Sequence, residues 1–232
     1  MVKQLYTLIR FDELVETIEA GANNIGLVPM QNGGVPAHRV PLERVDEMFA
    51  YCREKGVTTV AIMLTNDPAE MIELTKRVKP DIVHVAGDQW AATPEFAKEL
   101  KEAVPGVELM QAVLIDDYSA LDRAKKYDAY CDYLLLDSGL AADTGIGASG
   151  MTHDWNIDAA IVRECNAKVI VAGGLGPDNV EEAIKMIKPF GVDSLTKTSI
   201  KLTADGDMRK DAEKVRLFCE RADKAAKEAG LE

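Results

Sequence analysis

Cysteine is scarce in these 232 residues, and Cys52, Cys131, Cys165 and Cys219 stand far apart with no CxxC pair. That spacing suggests neither a zinc site nor a disulfide framework, and buried, reduced thiols are expected. Basic residues are outnumbered, 27 Lys and Arg against 39 Asp and Glu, for a formal charge of −12. A chain of that sign repels phosphate backbones, so no nucleic-acid partner is expected. No apolar run approaches the roughly 18 to 20 residues that span a bilayer, and the N-terminal stretch does not resemble a signal peptide. A cytoplasmic protein with no membrane partner is therefore expected. Low-complexity linkers are missing as well, so one domain over residues 1–232 is the expected organisation.

What is present is an alternation of short β-branched or apolar runs with amphipathic segments. The strand candidates are 3–9, 24–28, 58–64, 82–86, 108–114, 133–136, 169–172 and 192–196. Between them lie helix-period stretches such as FDELVETIEAGA, PLERVDEMFAYCREKG, DPAEMIELTKRV, TPEFAKELKEAV and NVEEAIKMIKPFG, and DAEKVRLFCERADKAAKEAG closes the chain. An open doubly wound sheet has the same local pattern. The strand count and the chain length favour an α/β fold of the (β/α)8 TIM barrel type.

In such a barrel the chemistry sits at the C-terminal ends of the strands. Those positions are rich in polar groups here. The second strand runs into PMQNGGVPAHRV, where Gly33 and Gly34 give freedom and His38 and Arg39 supply donors. The fourth carries His84 and leads to Gly87, Asp88 and Gln89; the sixth ends at Asp137, followed by the glycine-rich SGLAADTGIGASGMTHDW. The seventh turns through AGGLGPDNV and the eighth ends in TKTS. Gly173 and Gly174 would let backbone N–H groups approach a phosphate, although any tight turn into a helix started by Pro177 and Asp178 could use the same glycines. Asp137 could serve as an acid in a partly desolvated mouth, cap the sixth helix, or pair with Arg39. A metal site from His38, His84 and His153 lacks any HxH or HExxH spacing, and none is expected.

Several of these stretches occur together and in order: IGLVP followed by Arg39 and Val40, DIVHVAGDQ, YLLLDS, GASGMTHDW, AGGLGPDNV and GDMRKDAEKV. Together they resemble the phosphoribosylanthranilate isomerase family, which typically shows LLDS, then GGTG with TFDW, then AGGL with PxNV. The resemblance covers most of the chain. It implies an Amadori rearrangement that opens a phosphorylated aminoaldose and moves a proton from C2 to give an aminoketose. That reaction needs a general acid, a general base and a phosphate clamp, and no cofactor. By position, Asp137 looks like the family's general acid and Arg39, or its neighbour His38, like the group for the anthranilate carboxylate. Asp193 aligns with a family Asp near the site.

The sequence also departs from the family. The family's first strand reads KICG, with the thiol as base, whereas KQLYTLI places Tyr6 there. In strand 8 Lys197 replaces a glycine of SSG, and in strand 4 His84 replaces the glutamine of QLHG. His84 or Tyr6 is then the candidate base, and Lys197 a candidate phosphate ligand beside Gly173 and Gly174. Two other readings remain open: an aldolase-type lyase with Lys197 as Schiff-base nucleophile, and a non-catalytic phosphosugar binder. The expected partner is a small sugar phosphate. The oligomeric state, monomer or homo-oligomer, is not specified.

Overall fold

The computed structural model describes every residue except 31–38, 87–89, 142–144, 147–151, 203–207 and 232. His38, Gly33 and Gly34, and Gly87, Asp88 and Gln89, thus lie outside the described residues. Eight strands build the centre: β1 (Val2–Tyr6), β2 (Asn24–Pro29), β3 (Thr58–Met63), β4 (Ile82–Val85), β5 (Glu108–Leu114), β6 (Tyr133–Asp137), β7 (Lys168–Val171) and β8 (Gly191–Ser194). Each pairs in parallel with the next, and β8 returns to β1, so the sheet closes on itself. Closure decides for the barrel over the open sheet. Outside it lie α1 (Phe11–Glu19), α2 (Leu42–Glu54), α3 (Pro68–Val78), α4 (Pro94–Ala103), α5 (Ser119–Asp128), α6 (Trp155–Glu164), α7 (Val180–Ile187) and α8 (Ala212–Ala229). No helix among the described residues is long and apolar enough to cross a membrane.

Strand parity sorts the core into two clusters. Leu134 and Leu136 join the large layer between strands and helices, whereas Tyr133 and Leu135 join Val60, Ile62, Ile82, Met110 and Ile170 inside the barrel. Side chains alternate along a strand, so Asp137 follows Leu135 onto the inner face. The same alternation turns Gln4 and Tyr6 inward past Leu5, His84 inward between Val83 and Val85, and Asp193 inward past Val192. Helix starts obey local chemistry. Asp67, Thr93, Asp154 and Asp211 each accept backbone N–H groups as caps, with Pro68 and Pro94 following the first two.

Boundaries move where the backbone turns. Strand β1 stops at Tyr6 rather than at residue 9, because Thr7 adopts φ 63°. Strand β8 stops at Ser194 because Thr196–Thr198 form a 3-10 turn. Helix α7 begins at Val180, so Pro177 and Asp178 belong to the turn before it rather than to its first residues. Asp154, and not Asp137, caps α6.

A β-branched residue in the left-handed region is strained, and Thr7 occupies the place where KICG carries glycine. Its Oγ1 is also buried without a partner. Thr7→Gly is expected to stabilise the fold by about 1 kcal/mol, net of the entropy glycine adds to the unfolded chain. Urea unfolding checks this. An unchanged or lowered midpoint would show that the turn is not strained.

Candidate active site

Asp137 ends β6 on the inner face, where it lines a recess open to solvent. Residues 173–175 of the loop after β7 and 193–196 at the end of β8 complete the lining. Burial raises the Asp137 carboxyl to about 6, partly offset by N–H groups of Ser138 and Gly173. The Ser138 N–H donates at 2.7 Å. A carboxylic acid titrating there keeps a usable protonated fraction near neutrality.

The lining glycines have a structural reason. Gly173 and Gly174 both take positive φ, 74° and 65°, so the turn presents backbone rather than side chain to the recess. A β-carbon on Gly173 would fall 2.7 Å from Ser138 Oγ and 2.8 Å from His153 Nδ1. Asn179 fixes the turn, accepting from the Gly176 N–H at 2.8 Å and donating to the Gly174 carbonyl at 3.1 Å. Ser194 Oγ ties β8 to the Leu175 carbonyl at 2.7 Å. Among the described residues no acceptor meets the N–H of Gly174 or of Thr196. Two rigid turns with free N–H groups facing one recess suit an anion.

A buried lysine holds the second turn. Lys210 lies on a short strand, Met208–Lys210, paired antiparallel with Ser199–Lys201. Its Nζ donates to the Ser194 and Leu195 carbonyls at 3.2 and 3.0 Å and to Thr198 Oγ1 and Ser199 Oγ at 3.3 and 3.2 Å. Its own N–H reaches the buried Glu13 at 2.6 Å. Burial draws the ammonium down while Asp193 and Glu13 oppose that. Burial also raises Asp193, with the Asp137 charge adding to it and Gln4 Nε2, 3.2 Å away, opposing it. Lys197 is different. It is exposed at the rim, with its stem against Gly176.

Tyr6 and His84 meet each other inside the barrel, and neither lines the recess. Tyr6 Oη lies 2.9 Å from His84 Nδ1. The Tyr6 ring fits because Gly26 opposite has no side chain: a β-carbon there would lie 2.3 Å from ring carbons. Burial drives the Tyr6 phenol well above its usual range, reinforced by Asp193 and Asp137. Burial pulls His84, 2% exposed, down to about 3. Both groups are thus held neutral. Arg39 forms a two-residue strand with Val40 that pairs with the end of β2, opposite Val28, which places it at the same mouth.

Sequence reasoning gave no acid, base or binding role to three residues near this mouth. Lys210 is one. The others are His153 and Asp158, whose carboxylate meets His153 Nε2 at 2.7 and 2.9 Å. His153 entered the sequence reading only within GASGMTHDW and as an unsupported metal ligand, and its five-residue separation from Asp158 was the available signal. No thiol takes part, since all four cysteines pack in the outer layer. Burial pushes Cys52, Cys131 and Cys219 up to about 12 and Cys165 to about 11.

A family profile described as N-(5'phosphoribosyl)anthranilate (PRA) isomerase matches residues 10–221. The chain belongs to this family. The N-(5'-phosphoribosyl)anthranilate isomerase of Haloferax volcanii is 32% identical over 206 residues, 89% of this chain and 86% of that one. The structure of the Pyrococcus furiosus N-(5'-phosphoribosyl)anthranilate isomerase superposes with a TM-score of 0.74 at 25% identity, over 97% of this chain and 99% of the other. A phosphoribosyl anthranilate isomerase solved with reduced 1-(o-carboxyphenylamino)-1-deoxyribulose 5-phosphate shares the fold, with a TM-score of 0.73 at 19% identity over 97% and 100% of the two chains. Within the family frame, this member differs where its barrel interior is filled by Tyr6 and His84.

Two measurements test the site's physics. Asp137 is raised in the folded state, so its contribution to stability is full below about pH 4 and is lost as pH rises toward 6. Asp137→Asn should therefore gain on the wild type by about 2 kcal/mol between pH 4 and pH 7, read by urea unfolding. A difference independent of pH would mean the carboxyl is not desolvated. Gly26→Ala should destabilise by about 2 kcal/mol through its clash with the Tyr6 ring. Most of that loss should vanish in a Tyr6→Cys background, and additive effects would show that the two positions do not share space.

Proposed function

We propose that this barrel isomerises N-(5'-phosphoribosyl)anthranilate, an aldosylamine phosphate, to the corresponding 1-amino-1-deoxyketose phosphate by general acid and base catalysis. The observation that carries the proposal is one recess holding both a carboxyl raised to about 6 and two turns of free N–H groups. Asp137 serves as the acid, protonating the ring oxygen as the sugar opens. The N–H groups of Gly174 and Thr196, unmet among the described residues, receive the phosphate, with the exposed Lys197 adding charge beside Thr196. Arg39 suits the anthranilate carboxylate, and Asp193, a carboxyl raised by burial, lines the same recess as the acid. The proposed substrate class is that of the ligand solved in the related isomerase. A lyase through Lys197 draws no support, because a Schiff-base lysine needs a desolvated pocket and this one is exposed.

The wild type should convert N-(5'-phosphoribosyl)anthranilate and bind the reduced product analogue. Asp137→Asn should lower kcat by roughly 100-fold or more while keeping affinity for that analogue. A variant that retains full turnover removes Asp137 from the acid's role. A wild type that neither binds nor turns over removes the function.

A further inference from the structure

The reaction proposed above needs a base, and the position that carries the family's thiol holds Tyr6 instead. Tyr6 Oη and His84 Nδ1 meet at 2.9 Å inside the barrel, away from the recess, with His84 Nε2 buried and unpartnered among the described residues, and burial holds both groups neutral. A phenol raised far above its normal range and an imidazole drawn to about 3 are both poor proton acceptors near pH 7.

His153 has the opposite arrangement. Its side chain is 5% exposed and that of Asp158 is 0% exposed, with Nε2 on the carboxylate at 2.7 Å. A hydrogen on Nε2, donated to the carboxylate, leaves Nδ1 of the neutral ring as a bare lone pair. That nitrogen has no partner among the described residues. It lies against Gly173, on the side where a β-carbon would stand, with Ser138 Oγ beside it. Gly173 lines the recess with Asp137, whose carboxyl its backbone N–H helps to hold down. An unpaired buried nitrogen packed behind a glycine that lines the recess calls for a polar partner that the described residues do not supply.

We propose that His153, oriented by Asp158, is the base that takes the C2 proton, in place of the missing thiol; the assignment rests on the isomerase reading above. Asp137 gives its proton to the ring oxygen as the C1–O bond breaks, leaving a C1–nitrogen iminium. Nδ1 of His153 then takes the C2 proton, and the released electron pair forms the C1–C2 double bond and neutralises the nitrogen. The imidazolium is stabilised by the Asp158 carboxylate. It returns its proton to C1 as the C2 hydroxyl gives its proton to the Asp137 carboxylate, producing the ketone. Both groups end as they began, and the product is an isomer of the substrate.

The experiment uses His153→Phe, which keeps a planar ring in the same space, with turnover of N-(5'-phosphoribosyl)anthranilate and binding of the reduced product analogue measured together. The expected result is a kcat lower by roughly 100-fold or more, with analogue affinity within a few-fold of wild type. Wild-type kcat in a folded His153→Phe overturns the assignment and leaves the isomerase reading intact. So does a raised KM with normal kcat, which marks a binding residue. Should His153→Phe not fold, Asp158→Asn carries the test: kcat should drop by roughly 10-fold or more with analogue affinity retained, and an unchanged kcat overturns the proposal. A wild type with neither turnover nor analogue binding overturns the isomerase reading and the base assignment together.

Discussion

In a closed parallel barrel each strand divides its side chains between two apolar environments, and a polar residue on the inner face is cut off from water unless it lies at an end. That constraint governs this molecule. Asp137 stands one residue past the buried Leu136, near enough to the mouth to reach the open recess and deep enough for its charged form to be disfavoured. Moved two residues earlier along β6, a carboxyl would sit among Ile62, Met110 and Ile170 and be held neutral by burial. The usefulness of Asp137 as an acid comes from its height in the barrel.

The same constraint explains the loop after β8. A cradle for an anion works only if its N–H groups stay in place when empty, yet turns at a barrel mouth have few apolar contacts to fix them. Lys210 supplies the fixation from beneath, with two carbonyls and two hydroxyls as acceptors and Glu13 and Asp193 as nearby negative charges. Burying an ammonium is unfavourable by several kcal/mol unless such partners surround it. Here the four acceptors belong to the segment being ordered, so the cost of burying the charge and the rigidity of the turn are coupled.

The barrel itself was legible from the sequence because strand and helix periods differ and punctuate each other: all eight strands fall where the apolar runs lie, with ends shifted by a few residues. Asp137, Gly173 and Gly174 were legible for the same reason, since a strand end and a βα turn are local features. Contacts between distant positions were not. Tyr6 meets His84 across 78 residues, and Lys210 meets Ser194 across 16 through a turn whose path no local pattern dictates. His153 and Asp158 are close in sequence, but the pair forms across a helix start, where the cap Asp154 accounts for the visible HDW signal. Thr7 offered no signal, because threonine is an ordinary strand residue and nothing local to it announces a positive φ.

Exchange of a thiol for a phenol at the end of β1 is not a change at one residue. A tyrosine ring occupies far more volume than a cysteine side chain, and packed interiors do not absorb such an increase without a matching loss. Room for the ring lies on the neighbouring strand at Gly26, where a β-carbon would meet ring carbons of Tyr6 at 2.3 Å. The ring carries a hydroxyl into the barrel, and a buried hydroxyl needs a partner, which His84 Nδ1 provides at 2.9 Å. Tyr6, Gly26 and His84 therefore form one packing and hydrogen-bonding unit, which occupies the barrel beside β1 and leaves no thiol there to accept a proton. On the proposed assignment the proton chemistry falls to β6, β7 and the start of α6, where Asp137, Gly173 and His153 lie near one another. The proposed acid then acts from the end of β6, and the proposed base comes from the loop side of the mouth.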